Sequence, residues 1–500
     1  MTRQSRLQPE VRAVAIVVVI GAIMSILDTT IVNVGIETLS QELNSPLATI
    51  QWISTGYLLA LATVIPLTGW VAERFGPKQV WMAVVTGFVA ASALCGLAWS
   101  AESLIAFRVL QGLAGGMVMP IGMIALAQAA GPRNMGRVMS VIGVPMLLAP
   151  VFGPVIGGLI VEHLSWRWLF YVNLPIGALG LVLAWRLMPG ARAEGKAGDS
   201  GRLDLLGLAL LSPGVALIVY GLSEIASTGR VVDPQALGPL GVGMLLVAGF
   251  ALHAWRARFP IVDVRLLRKP GFGAAAATVS LAGAALFGGM LLLPLYYQLD
   301  RGLSPLQAGL LIAPQGLGAA AAMHWSGRMT DRLGGGPIVT FGLVVLAVST
   351  LPFVFVTGST SYALLAGSLV VRGIGLGFAM MPAMASAYRL LRTDEVPRAT
   401  PLLNVLQRVG GSLGVAILAV VLQRQIAGVL PGAGGDGVVQ ALTPAQRAQV
   451  ADPVADAFGA TYVWSLVLVL LAIIPALVMW RAERRTADLP TPAARPVPAA

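Results

Sequence analysis

Charge is scarce in this sequence. Asp, Glu, Lys and Arg make up only 11% of its 500 residues, whereas about 25% is usual in soluble domains. Hydrophobic residues account for 57%, and the mean hydropathy is +0.82. This composition excludes an ordinary soluble protein and predicts an integral membrane protein.

Cysteine is nearly absent as well. The single Cys95 excludes an intrachain disulfide, and no group of Cys and His residues predicts a metal site. The segment "RGIGLG" at 372–377 belongs to no βαβ unit, so it is not a dinucleotide-binding loop. We therefore expect no enzyme activity, no metal and no cofactor.

Long apolar runs are abundant instead. A hydrocarbon core of about 30 Å needs about 20 apolar residues per helix. We predict an all-α membrane fold with fourteen spans, at residues 14–35, 48–70, 80–99, 103–126, 138–161, 169–188, 204–225, 238–255, 273–297, 306–327, 337–357, 361–382, 401–424 and 459–480. The first run lacks a cleavage site, so we do not expect it to be a signal peptide.

Basic residues are distributed unevenly among the loops. The formal charge of +11 fits either nucleic-acid binding or an excess of Lys and Arg in cytoplasmic loops. With the N-terminus inside, about three quarters of the 33 Lys and Arg lie on the cytoplasmic side. We expect no nucleic-acid partner, and a multi-pass protein of the bacterial cytoplasmic (inner) membrane with both termini in the cytoplasm.

Two motifs occur twice along the chain. "GWVAERFGPK" at 69–78 matches "GRMTDRLGGG" at 327–336, and "RVLQGLAGG" at 108–116 matches "RGIGLGFAM" at 372–380. Nearly equal spacings predict two parallel six-helix halves. We expect an N-tail (1–13), a first bundle (14–188), a linker (189–203), two additional helices (204–255), a connector (256–272), a second bundle (273–480, with an outer loop at 425–458) and a disordered C-tail (481–500).

A carboxylate lies inside the first span. A charge at the centre of a membrane helix costs about 2.5–3.5 kcal/mol, so Asp28 predicts an ion or substrate path. The alternative is a structural acid that is paired or reaches water. Arg108 lies at a similar depth in the fourth span and could pair with Asp28, although it could also extend to the outer surface. If the two pair, protonation of Asp28 would release Arg108, and a cationic substrate could compete for the carboxylate.

Two further segments predict moving parts. The fifth span contains "GVPMLLAPVFGPVIGG" at 143–158, which indicates a bent surface that slides or rocks, or ordinary close packing. The loop after the second span places Glu73, Arg74 and Lys78 in a tight turn. Its charges either pair across the halves as a latch or reflect topology alone.

Six segments in chain order resemble one family. The chain is similar over nearly its whole length to the major facilitator superfamily, and within it to the fourteen-helix drug:proton antiporters of the EmrB/QacA type. The segments are "LDTTIVNV" (27–34), "GWVAERFGPK" (69–78), "RVLQGLAGG" (108–116), "APVFGPVIGG" (149–158), "WRWLFYVNLP" (166–175) and "NVLQRVGGSLGVA" (404–416). The resemblance implies the major facilitator fold, with two bundles that rock to give alternating access, and transport driven by the proton gradient.

The resemblance also implies roles for single residues. Asp28 corresponds to an acid implicated in proton coupling, and Arg108 supports it. The antiporter helix would include Pro150, Gly153, Pro154, Gly157 and Gly158. The conformational latch would include Gly69, Glu73, Arg74, Gly76, Lys78, Asp331 and Arg332. Polar candidates for substrate binding are Asn33, Gln111, Gln298, Gln315, Asn404, Gln407 and Arg408.

The sequence departs from the family pattern at two points. Glu37 stands where the first-helix motif usually continues to Pro, and it is either a second acid at the outer mouth or the start of a loop. The spans after residue 273 show no clear buried acid, whereas Arg408 favours an anionic group. The missing buried acid and the presence of Arg408 both weaken the expectation of cationic substrates.

We expect a secondary active transporter that exports lipophilic drugs or toxic compounds by proton antiport. Its partners would be a small lipophilic substrate, protons and the lipid bilayer. Alternatives are a dedicated exporter of one metabolite, lipid or antibiotic, and a sensor or scaffold that transports nothing. Periplasmic or outer-membrane efflux partners stay an open alternative, for which the sequence holds no evidence.

Overall fold

The computed structural model describes residues 8–131, 134–189, 203–429 and 444–487. In these ranges the chain forms helices and no β-strand, so the prediction of an all-α fold is confirmed. The long helices are α1 (Pro9–Val34), α2 (Leu47–Val64), α3 (Pro77–Gly96), α4 (Ala101–Ala130), α5 (Met135–His163), α6 (Asn173–Leu187), α7 (Leu205–Thr228), α8 (Pro234–Arg256), α9 (Pro270–Leu295), α10 (Pro305–Leu333), α11 (Gly335–Val354), α12 (Tyr362–Arg389), α13 (Val396–Val429) and α14 (Pro444–Ala487).

Short helical segments extend or join these helices. A 3-10 turn at Ile65–Leu67 leads from α2 into a short helix at Thr68–Phe75, and a π-helical turn at Tyr296–Asp300 extends α9. Short helices also lie at Ile36–Glu42 and Trp168–Tyr171, and a second 3-10 turn lies at Val264–Arg268.

Each predicted span overlaps one long helix. Among the described residues, twelve of these helices are long and apolar enough to cross a membrane. α10 does not meet that measure, and in α5 several side chains lie outside the described residues, so that only Met135–Met146 is covered. In α10 the polar side chains of Gln315, His324 and Arg328 interrupt the apolar run. The chain is therefore a multi-pass membrane protein, and the count of fourteen spans stays a prediction.

Helix packing follows the same order in the two halves. α1 packs against α4, α5 and α6, and α9 packs against α12, α13 and α14. Likewise α2 and α3 pack against α4, whereas α10 and α11 pack against α12. Two parallel copies of a six-helix bundle, separated by two helices, give this pattern. The bounds that we assign to each domain from the sequence stay a prediction.

The halves meet through five helices and the end of a sixth. α5 contacts α10 and α12, while α13 contacts α4 and the segment that ends α2. The additional helices pack on each other, and α7 also contacts α2 and α13. Trp52 of α2 stacks on Tyr220 of α7 with ring centroids 6.0 Å apart. The additional pair thus lies against one side of the interface and touches both halves.

Candidate functional site

The centre of the site is the carboxylate of Asp28, which has no solvent-exposed surface. Its Oδ2 lies 2.7 Å from Arg108 Nη1. Its Oδ1 accepts hydrogen bonds from Gln111 Nε2 at 2.9 Å and from Asn173 Nδ2 at 2.7 Å. Arg108 and Gln111 lie three residues apart on α4, so they share one helix face. Three donors from α4 and α6 therefore stabilise the ionised carboxylate of α1.

The side chain of Arg108 is buried and contacts several groups of the first half. Its side chain is 1% exposed, so the alternative in which it extends to the outer surface is wrong. Its Nε donates to the carbonyl of Ile53 at 3.2 Å, and its Nη1 also donates to Gln111 Oε1 at 2.8 Å. The guanidinium lies 3.9 Å from the centroid of the Tyr57 ring, within the range of a cation–π contact. The contact between Asp28 and Arg108 is present, and its role in coupling stays a prediction.

A second layer of polar groups surrounds the pair. Asn173 Nδ2 also donates to Ser92 Oγ at 3.1 Å, and Ser92 Oγ donates to the carbonyl of Phe170 at 2.8 Å. Cys95 Sγ donates to Gln111 Oε1 at 3.5 Å. Asp28 is thus linked to α3, α4 and α6 through buried hydrogen bonds, each of which costs free energy if its partner is lost.

Glycines bring α5 close to α1 just beyond Asp28. A Cβ at Gly153 would lie 2.0 Å from Thr30 Oγ1, and one at Gly157 would lie 2.9 Å from the carbonyl oxygen of Ile31. Nothing lies within 4 Å of a Cβ at Gly158. The side chains of Pro150 and Pro154, also assigned to this segment, lie outside the described residues.

Two charged contacts join the halves at one end of the molecule, which we name the latch end. Glu73, at the end of the segment that follows α2, binds Arg398 of α13, with Arg398 Nε 3.1 Å from Oε1. Asp331, near the end of α10, accepts from Arg137 Nε at 3.0 Å and from the backbone N–H of Gly136 at 2.9 Å. Each half therefore contributes one acid to the other half.

Glycines shape the latch end. A Cβ at Gly69 would lie 2.3 Å from the carbonyl oxygen of Pro397, so only glycine allows the two halves to approach so closely there. Gly76 has φ +83° and Gly334 has φ +88°, values that favour glycine and that end the helices of the two matching loops. Both halves thus use the same turn before their next helix.

Not every predicted latch residue crosses the interface. Lys78 Nζ donates to the carbonyls of Trp185 and Met188 at 2.9 and 2.6 Å, within its own half. Arg74 and Arg332 are exposed. The sequence analysis missed the partners Arg137 and Arg398, because a repeat identifies matching loops and carries no signal for the residue opposite each acid.

The substrate candidates fall into several places. Asn33 is exposed on α1 and accepts from Ser54 Oγ at 2.9 Å. Gln111 is fully buried beside Asp28, so it belongs to the carboxylate network and not to an open surface. Gln298 lies half-buried in the π-helical turn. The Oε1 of Gln315 is buried and has no hydrogen-bond partner among the residues that the structure describes.

The remaining candidates lie on α13. Asn404 and Arg408 follow Pro401 at helical spacing, and Pro401 contacts the Gly69 position of the first half. Asn404 Nδ2 donates to the carbonyl of Thr400 at 2.9 Å. Arg408 is half-buried and has no hydrogen bond or ion pair with the part of the chain that the structure describes. Gln407 instead lies beside Gly283 of α9.

The expectation that the spans after residue 273 hold no clear buried acid is wrong for the first of them, which extends to Asp300. Asp300, at the end of the π-helical turn, is 5% exposed. The segment "DRGLS" that begins with it reads as a polar loop, which is why the sequence analysis missed it. Glu37, by contrast, is exposed in the short helix after α1.

The arginine that matches Arg108 has different surroundings. Arg372 of α12 is 2% exposed, and its Nη1 donates to Thr350 Oγ1 at 2.6 Å. Within the described ranges it forms no ion pair with an acid. The matching motifs therefore hold a salt-bridged arginine in the first half and an arginine bound to a hydroxyl in the second.

Two matched bundles, a salt-bridged carboxylate buried in the first of them and charged contacts between them are the features of a membrane transporter. The family model for the Major Facilitator Superfamily matches residues 18–415. The chain belongs to the Major Facilitator Superfamily.

Individual proteins agree with that assignment. The chain is 39% identical to a "Multidrug resistance protein B homolog" of Mycobacterium tuberculosis, over 95% of this chain and 91% of that protein. It is 31% identical to the "Tetracenomycin C resistance and export protein" of Streptomyces glaucescens, over 87% and 80% of the two chains. The crystal structure of the human organic anion transporter MFSD10 (TETRAN) matches with a TM-score of 0.60 at 17% identity, over 92% of this chain and 100% of that chain. This last likeness concerns the fold alone.

Proposed function

We propose that this transporter exports lipophilic toxic compounds across the bacterial cytoplasmic membrane in exchange for protons. The observation that carries the proposal is the buried carboxylate of Asp28, which links α1 to α4 and α6. Ionisable groups within membrane helices are typical of proton and substrate paths. The names of the relatives from Mycobacterium tuberculosis and Streptomyces glaucescens, which contain the words resistance and export, support outward transport of toxic compounds.

The hydrogen bonds of Asp28 suggest what its proton would change. Ionised Asp28 holds α1 against α4 and α6 through three donors. Protonation removes the negative charge, and Arg108 then keeps only neutral partners, among them Tyr57 and the carbonyl of Ile53. The bonds that fix α1 weaken as a result. Proton binding would thereby free α1 to move.

α5 provides a route from Asp28 to the latch. It packs on α1 through Gly153 and Gly157, and it begins with Gly136 and Arg137, which bind Asp331 of the second half. A shift of α1 against α5 would therefore displace the start of α5, where Gly136 and Arg137 bind Asp331. We infer that protonation of Asp28 and the state of the latch are coupled through this helix.

The orientation of the chain gives this coupling a direction. If the N-terminus lies in the cytoplasm, as we propose, the latch end faces the cytoplasm, and its two charged contacts would close that side. Opening of the latch would admit substrate from the cytoplasm or the inner leaflet. Closure would then present it to the outside, where a proton replaces it.

Export of toxic compounds can be tested in an efflux-deficient bacterial strain. Cells that express the transporter should tolerate higher concentrations of several lipophilic inhibitors, and Asp28→Asn should remove this tolerance at equal protein level. Glu37→Gln is the matched control, because that acid is exposed and has no part in the network. Equal tolerance with Asp28→Asn and the parent protein would reject the proposal.

A dedicated exporter of one compound is the second candidate. It is favoured by Arg408, a half-buried cation that has no hydrogen bond or ion pair with the described residues and could select one acidic substrate. The same panel of inhibitors separates the two, since tolerance limited to a single chemical scaffold would favour the dedicated exporter.

A further inference from the structure

A second buried carboxylate lies at the end of the molecule opposite the latch. Asp300 closes the π-helical turn that extends α9, and neither of its carboxylate oxygens has a hydrogen-bond partner in the residues that the structure describes. We propose that Asp300 is a second proton-binding site. It carries its proton in the arrangement seen here and releases it to outside water when this corner of the second half rearranges. The proposal rests on the proposed proton-driven export and adds a proton to it.

The surroundings of Asp300 disfavour a negative charge. Its neighbours in the π-helical turn, Tyr296, Tyr297 and Leu299, belong to a buried apolar cluster, and Phe458 of α14 packs on Tyr296 with ring centroids 5.6 Å apart. A carboxylate that accepts no hydrogen bond is unstable in such a place, whereas a neutral carboxylic acid is tolerated. The geometry therefore indicates the protonated form.

The basic group next to Asp300 in the described part of the chain is Arg301, and it is already engaged. Arg301 donates from Nη1 to the carbonyl of Gly358 and from Nη2 to the carbonyl of Thr360, the latter at 2.6 Å. Its guanidinium also lies 4.6 Å from the ring centroid of Tyr362. Arg301 thus holds the loop between α11 and α12, and these bonds leave Asp300 without a counter-ion among the described residues.

The other titratable groups near Asp300 do not supply one. Asp452 of α14 accepts from the backbone N–H of Gly358 at 3.1 Å, and it adds negative charge to the corner. Tyr296 and Tyr297 lie on the same turn and Tyr362 on α12. Tyr462 of α14 lies deeper in the cluster. None of these side chains is basic, so they cannot balance an ionised Asp300.

The loop at Gly358 and Thr360 gives the site a switch. Arg301 and Asp452 both bind this short loop, from α9 and α14 respectively. If the loop shifts during transport, Arg301 is released and can pair with the adjacent Asp300, which stabilises its ionised form. Single π-helical turns are rare and are frequent at functional sites, which fits a point of adjustment here. Loss of the proton would then be tied to movement of the second half.

Infrared spectroscopy tests the protonation state directly. In the full-length protein reconstituted at neutral pH in ether-linked lipid, which has no ester carbonyl, the carbonyl stretching band of a protonated carboxylic acid should be present. Asp300→Asn should remove it, while Asp456→Asn, on an exposed position of α14, should leave it. A band that Asp300→Asn leaves unchanged would overturn the proposal. Equal unfolding temperatures of the variants exclude a folding defect as the cause of any loss.

The number of protons per substrate tests the role in transport. In proteoliposomes held at zero membrane potential, the pH difference that just cancels a fixed ethidium gradient gives this ratio. Asp300→Asn should lower it by one while pH-driven transport persists, and Asp456→Asn should not change it. An unchanged ratio would reject the second site and leave Asp28 as the coupling acid. If the parent protein shows no pH-driven transport, the proposed function fails, and the infrared band still reports on Asp300.

Discussion

The pair formed by Glu73 and Arg398 should bias the transporter towards the latched state. Both hydrogen bonds of the pair are near normal length, at 3.1 and 3.3 Å. The side chains are 20% and 29% exposed, so solvent weakens the attraction only in part. We estimate about 1 kcal/mol for the pair, towards the upper end of exposed ion pairs. Its loss should raise the ratio of unlatched to latched molecules about fivefold.

A buried thiol can report this change. Ser140 of α5 is 8% exposed and contacts the Gly327 position of α10, so Ser140→Cys would be shielded while the halves are latched. The single native Cys95 is buried and can be replaced by Ser to remove background. Glu73→Gln should raise the rate at which a maleimide modifies this thiol about fivefold, if reaction follows the open population.

The double variant decides whether the two residues act as one pair. Glu73→Gln with Arg398→Gln should increase the rate no more than either change alone, since the same contact is lost in each case. Arg332→Gln, which changes an exposed arginine near the latch, should leave the rate unaltered. Additive increases, or no increase with Glu73→Gln, would refute this account of the latch.

Three further outcomes follow from the structure. Arg108→Ala should destabilise the protein by about 3–5 kcal/mol because it leaves a buried carboxylate unpaired. Adding Asp28→Asn should recover part of this stability in thermal unfolding, and a double variant less stable than Arg108→Ala alone would contradict the reasoning. Gly69→Val should unlatch the halves and raise the same thiol modification rate, whereas Gly158→Val, which has open space, should not. Arg408→Gln should slow export of rhodamine B, which carries a free carboxylate, and spare its ethyl ester; equal slowing of both would show that Arg408 does not recognise the acid.

The sequence was sufficient for the helices and for the pair at the centre of the site. Long apolar runs predict membrane helices because the bilayer leaves the backbone no other partner. Asp28 and Arg108 could be matched by depth alone, since both lie in spans whose direction follows from the loops. The same reasoning could not predict the contact of Asn173 with Asp28, because Asn173 lies where α6 begins and binds Asp28 only through tertiary packing.

The sequence could not predict how each helix is rotated about its axis, and therefore which of its faces is buried. Gln111 was expected to meet substrate, but in a helix that is apolar on all sides no stripe shows which face is buried. Its side chain instead binds Asp28 and Arg108. Asp300 was missed for a related reason, because its burial depends on a π-helical turn and on α14 packing over it.

The most direct test of proton exchange at Asp28 is transport under an imposed pH gradient. Purified protein in liposomes, with ethidium as the probe, should move the dye against its gradient when a pH difference is applied. Asp28→Asn should abolish this driven transport, and Glu37→Gln should retain it. Driven transport of equal rate in Asp28→Asn and the parent protein would contradict the account and remove the buried carboxylate from the mechanism.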